Sequence, residues 1–182
     1  MSSILKLPES APARFAATEA FAALGEAWFA PFSAVRVPGT VLWVNFELAR
    51  ALGFDVPRSN RLTPALHEQL IDKLSLRSIT PGEDVSGKEI VTMYADRYGG
   101  DGVSPALGAG RAGFLRDANL YVKGIGFTPL FKHNDKDDFV HSHGGVHLED
   151  CMSEAIFGEV DHNLFELGAS RIVAIIDQGL FV

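Results

Sequence analysis

The chain is poor in several things at once. Cys151 is its only cysteine, so no disulfide can form within it and a fold stapled by cross-links is excluded. No uninterrupted apolar run approaches the roughly 20 residues of a membrane-spanning helix. Basic residues are outnumbered, 16 Lys and Arg against 23 Asp and Glu. The net charge of -7 argues against general nucleic-acid binding, which needs a basic face to displace counterions. Internal repeats and low-complexity tracts are missing too. The start, Met1 to Glu9, lacks the basic head, apolar stretch and cleavage site of a secretory signal, so a cytoplasmic location is the default expectation. What is there suits one domain, or one lobe of a larger protein: 182 residues, 47% of them hydrophobic, enough to bury a proper core.

Residues 1–20 read as an N-terminal arm and 21–182 as the folded unit. Trp28, Phe29 and Phe32 lie in a proline-punctuated stretch expected to drape over the core. Val41–Val44 reads as a strand, and Asn45 caps a short helix, Phe46 to Leu52, closed by Gly53. Thr63-Pro64 opens a further helix whose stripe is Leu66, Leu70, Ile71 and Leu74. Glu89–Tyr94 is a candidate strand, and 97–106 a glycine-rich loop. Arg111–Arg116 and Asn119–Lys123 read as two strands joined at Asp117-Ala118. A polar loop, 132–145, leads into an amphipathic helix, Val146 to Phe157, with Leu148, Cys151, Met152, Ala155 and Ile156 at helical spacing. A second short helix ends at Gly168, and Arg171–Ile176 is a last strand. The fold class expected is α+β: a twisted, mainly antiparallel sheet with one long helix packed on it and an N-terminal helical extension.

Three features of the second half carry chemistry. Leu107-Gly108-Ala109-Gly110-Arg111-Ala112 is a glycine-bearing turn, where backbone amides can approach a phosphate. Lys123 follows on a strand; alternation sends Leu120 and Val122 to the core, and Tyr121 and Lys123 to the other face. A helix bearing Glu149 and Glu154 comes next, and Glu149 is the partner expected to anchor the Lys123 ammonium. Glycine loop, strand lysine and helix glutamate, in that order, are the parts with which a kinase-like small lobe holds nucleotide phosphates. A plain hairpin turn, a surface lysine and a solvated glutamate are the ordinary alternatives. His141, His143 and His147, near Glu149 and Asp150, have the residue types of a metal site, though solvated loop histidines fit the pattern better. Asp135, Asp137 and Asp138 lack the glycine and distant glutamate of a calcium loop. Cys151 reads as a small apolar residue on a helix face.

Several segments together resemble the selenoprotein O family. Pro105-Ala106-Leu107-Gly108-Ala109-Gly110-Arg111-Ala112 is similar to its P-Q-L-G-D-G-R-A. Val122-Lys123-Gly124-Ile125-Gly126-Phe127-Thr128-Pro129 is similar to L-K-G-A-G-R-T-P, and Ser153-Glu154-Ala155 to the end of R-E-F-L-C-S-E-A. Leu24-Gly25-Glu26-Ala27-Trp28-Phe29 and Asn45-Phe46-Glu47-Leu48-Ala49 match the opening L-G-D-x-F-F and N-x-x-L-A. The resemblance implies a kinase-fold pseudokinase that transfers AMP from ATP, with magnesium, to hydroxyl side chains of proteins. It implies that Lys123 contacts the phosphates with Glu149 as helix partner. Gly108, Gly110 and Arg111 would belong to the glycine loop, and Gly124 and Thr128 to the signature around the lysine. The chain departs from the pattern at Ala109, where the family has aspartate, and at Phe127, where it has arginine. Residues 171–182 read as the last two strands of a small lobe, and the family's large lobe, with its metal-binding and catalytic residues, is not in the sequence: either this is a fragment of a longer protein, whose large lobe would complete catalysis, or the small lobe serves a different purpose alone.

Two further expectations stand beside that one. The first is a non-catalytic binding or assembly module that kept the lobe, pairing with a partner or with itself through the open lobe face. The second is a metal-dependent enzyme built on His141, His143 and Glu149. Neither nucleic acid nor membrane is an expected partner.

Overall fold

Local chemistry decides the first helices. In the computed structural model, which describes residues 26–97, 108–115, 120–131 and 143–179, the Asn45 side chain accepts from the Leu48 amide at 3.0 Å and starts α1 (Phe46–Ala51). Gly53, at φ 92, turns the chain out of it. Thr63 accepts from the Leu66 amide at 3.2 Å, and Pro64 occupies the first turn of α2 (Pro64–Leu74). The apolar stripe of α2 lands inward: Leu66, Leu70 and Leu74 are all buried.

The strands are β1 (Phe29–Arg36), β2 (Thr40–Val44), β3 (Leu76–Ser78), β4 (Ile90–Asp96), β5 (Ala112–Leu115), β6 (Leu120–Lys123) and β7 (Ala174–Asp177); α3 is Leu148–Leu164. They form a curled five-stranded sheet in the order β3-β1-β4-β5-β6 and a two-stranded sheet β2-β7. Every recorded strand pairing is antiparallel. The α+β class expected from the sequence is what the structure has. Among the described residues no helix is long and apolar enough to cross a membrane.

Two layers of core result. Val41, Val44, Ala49, Phe54, Leu66 and Leu70 pack the small sheet against α1 and α2. Ala34, Leu76, Met93 and Ile125 pack beneath the large sheet, with Phe32, Val91, Leu115 and Val122 around them. Ala30, Ala95 and Leu130 extend that layer.

Four expectations need correcting. The Trp28–Phe32 stretch does not drape over the core: Phe29 begins β1, which lies inside the large sheet and pairs with β4 from Phe29↔Asp96 to Val35↔Ile90. Pro31 is compatible with this because of where its missing N–H points. The Ser33 carbonyl accepts from Ile79 at 3.1 Å on the β3 side, so Pro31, two residues back, faces the same side, beyond the end of β3. Second, the two helices expected after residue 146 are one helix that runs through Gly158. Glycine serves there because a Cβ would come within 2.8 Å of the Ser170 carbonyl. Third, α3 buries little. Of its expected stripe only Ala155 is buried, while Leu148, Met152 and Ile156 are exposed. Fourth, the last strand is Ala174–Asp177 and not Arg171–Ile176, and it pairs with β2. The turn at 117–118, the loop 97–106 after its first residue, the arm 1–20 with residues 21–25, and residues 132–142 of the polar loop lie outside the described residues.

Candidate functional site

β6 pairs with β5 in antiparallel register, Ala112 opposite Lys123 and Phe114 opposite Tyr121. Alternation does what the sequence predicts: Leu120 and Val122 pack on the cores, while Tyr121 and Lys123 face outward. Lys123 Nζ donates to Glu154 Oε1, tying the sheet to α3. Both side chains are about two-fifths exposed, 38% and 41%. An ion pair so open to solvent contributes at most about 1 kcal/mol to stability. Its consequence is geometric, because it holds an otherwise mobile ammonium at one place on the sheet face.

Glu149 is not that partner. It lies in the first turn of α3, exposed, beside Asp150. Glu154 is five residues on, and five residues rotate a helix by about 140° beyond a full turn, so the two carboxylates leave the helix on different sides. The signal that points to Glu154 was present in Ser153-Glu154-Ala155.

The glycine bend meets the strand lysine through backbone and through Thr128. Ala109 N donates to Asp96 O at 2.8 Å, and Gly108 bridges Arg97. A Cβ on Gly108 would fall 2.3 Å from the Asp96 carbonyl and from Leu130 Cδ1, so close packing requires glycine there whatever else the bend does. Buried Thr128 donates its hydroxyl to Ala109 O at 2.6 Å, and its amide donates to Gly110 O at 2.9 Å. Gly124, at φ 82, donates to Arg111 O at 2.8 Å. Arg111 Nη1 donates to Gly145 O at 2.7 Å, fastening the bend to the segment that enters α3. Gly108, Gly110, Arg111, Gly124, Thr128 and Lys123 therefore form one bonded neighbourhood, in which Glu154 replaces Glu149.

An aromatic row shares the Lys123 face. Phe114 and Tyr121 stack edgewise at 4.6 Å, and Phe29 meets Phe114 at 6.2 Å and Tyr94 at 6.4 Å. The Tyr121 hydroxyl donates to Asp96 Oδ1 at 2.8 Å, which fixes the ring while leaving the residue 44% exposed. Tyr121 is the second site residue that sequence reasoning passed over; its signal was the two-residue spacing from Lys123.

The remaining candidates separate. His143 and His147 stack edgewise at 5.0 Å, and His143 Nδ1 accepts from the Gly145 amide at 3.1 Å. His141 lies outside the described residues. No group of three or more His, Cys, Asp or Glu among the described residues could hold a metal ion. Burial pushes the Cys151 thiol up; Glu154 and Asp150 push it the same way, and Lys123 opposes them. Cys151 is therefore a protonated thiol at neutral pH, with no activation toward nucleophilic attack.

Compared with protein-family models, with curated proteins and with solved structures, the chain finds no match.

Proposed function

We propose that this chain is a nucleotide-binding domain of the kinase small-lobe kind, taking ATP with magnesium and serving AMP transfer to protein hydroxyls once a large lobe completes it. The observation that carries the reading is the Lys123–Glu154 ion pair between the third strand of the β4-β5-β6 meander and the following helix. A kinase-type small lobe uses a strand lysine and a helix glutamate in that order, after a glycine-bearing connection. Lys123 has three N–H donors; with one on Glu154, two remain for phosphate oxygens. Tyr121, held by Asp96 on the same face, offers a ring on which a base can stack. Magnesium would arrive with the triphosphate, whose charge it shares, since the described residues supply no carboxylate cluster to seat it.

Thermal shift tests this directly. ATP with magnesium raises the melting temperature of the wild type. Lys123→Ala abolishes the rise, Tyr121→Ala and Glu154→Gln reduce it, and Glu149→Gln keeps it. No rise in the wild type, or an undiminished rise in Lys123→Ala, refutes the reading. A non-catalytic assembly module is the second reading, and the exposed apolar face of α3 favours it.

A further inference from the structure

Arg111 touches both halves of the Lys123–Glu154 pair. Its carbonyl accepts from the Gly124 amide at 2.8 Å and from the Ile125 amide at 3.3 Å, the two residues that follow Lys123. Its neighbour Ala112 lies opposite Lys123 in the β5-β6 ladder. Its side chain reaches elsewhere: Nη1 donates to the Gly145 carbonyl at 2.7 Å, just before α3 begins at Leu148. One residue thus bonds the lysine strand through its backbone and the entry to the glutamate helix through its guanidinium.

We propose that Arg111 is a positioning residue: its bond to Gly145 sets the start of α3 so that the Glu154 carboxylate meets the Lys123 ammonium. The start of α3 needs such a bond. His147, at the N-cap, makes no side-chain capping bond. No residue from Leu148 to Glu154 is buried, and Ala155 is the first that is. The clamp of Glu159 on Arg171 and Asn45 lies past Glu154, so it holds the helix from the other side of the pair. Ahead of the helix, Gly144 O accepts from the Gly126 amide at 3.0 Å and Gly145 O from Arg111. The Arg111 bond has a charged donor, which makes it the stronger kind. A helix is stiff along its axis, so the placement of its first turn is carried to Glu154, about 9 Å on. The role takes its purpose from the nucleotide reading, on which it rests: a lysine that meets phosphate must be held in place. Its geometry is measurable with no nucleotide present.

Zero-length cross-linking of the full chain tests it. A water-soluble carbodiimide activates the Glu154 carboxylate, the Lys123 nitrogen attacks the acyl carbon, an amide forms, and the carbodiimide leaves as its urea. The initial rate of the 123–154 link, read by mass spectrometry after digestion, reports how often the pair is in contact. The link between Glu83 and Lys88, which pair at 3.0 Å, is the internal control. Arg111→Met keeps the side chain's bulk and removes the donor. It lowers the 123–154 rate about tenfold, the population change that one hydrogen bond from a charged group supports, and leaves the 83–88 rate unchanged. Arg111→Lys restores a donor and recovers most of the rate. An undiminished 123–154 rate in Arg111→Met overturns the proposal. If Arg111→Met loses both links because it does not fold, Arg111→Gln, with a shorter polar head, takes its place under the same outcomes. The rise in melting temperature with ATP and magnesium keeps the two readings apart. No rise in the wild type refutes the nucleotide reading and leaves the cross-linking rates to decide on Arg111. A rise lost in Arg111→Met at an unchanged 123–154 rate means that Arg111 meets the nucleotide itself, and this too overturns the positioning role.

Discussion

Helices α2 and α3 are built from similar material and used in opposite ways. α2 has 11 residues and buries three leucines; α3 has 17 and buries one alanine. The first is held by its stripe: Leu66, Leu70 and Leu74 enter a core shared with Val41, Val44, Ala49 and Phe54. The second is held by polar clamps. Glu154 takes Lys123 from the large sheet, and Glu159 takes both nitrogens of a bidentate Arg171 at 2.7 Å and the Asn45 amide at 2.8 Å. Apolar burial scales with area and gives α2 most of the stability. Clamps contribute little stability but fix orientation, and the large apolar residues of α3 stay exposed.

The comparison is broken first by truncation. Leu70→Ala removes a fully buried side chain and costs about 2–5 kcal/mol. Ile156→Ala, at a side chain 59% exposed, stays within about 0.5 kcal/mol of wild type. Urea unfolding measures both, and equal losses would show that α3 is packed as α2 is. Asn45 sharpens the contrast at intermediate size because it belongs to both regions, capping α1 and donating to Glu159. Asn45→Ala costs about 1–2 kcal/mol, and Asn45→Asp, which keeps the cap but sets a carboxylate against Glu159, recovers only part of it.

The smallest effect concerns pH. Hydrogen bonds from Arg77 first, then Lys88 and the Thr80 amide, hold the Glu83 carboxyl down from 4.5 to about 2. A carboxyl depressed in the folded state contributes stability that is whole above its unfolded value and disappears as pH falls through the folded one. Melting temperatures therefore fall between pH 4.5 and 2, and Glu83→Gln flattens that part of the profile. Glu159, held low chiefly by Arg171, contributes in the same direction. A profile unchanged in Glu83→Gln would assign the acid sensitivity elsewhere.

The sequence made α1, α2, β2 and the outward turn of Lys123 legible because each is decided locally, by a cap, a proline, a glycine stop or simple alternation. It hid what depends on distant neighbours. β1 reads as loop because Pro31 argues against a strand, and only the short reach of β3 resolves the conflict. Gly158 reads as a helix end because its packing partner, Ser170, lies beyond the helix. Glu149 and Glu154 are both helix acids after a strand lysine. Choosing between them needs the rotation of α3, which Arg171, also distant in sequence, helps to set. The spacing of Leu148, Cys151, Met152, Ala155 and Ile156 was visible as periodicity, but periodicity does not say which of them the fold buries, and only Ala155 is buried.

Pro31 has one more effect. The flank of β1 before Ala34 has no neighbouring strand among the described residues. A bare sheet margin invites a foreign extended segment to zip alongside it, and fibrils begin in that way. A ring in place of a hydrogen-bond donor would interrupt any such zipper midway, so the residue that obscures this strand in the sequence is also one that a foreign strand could not pair with.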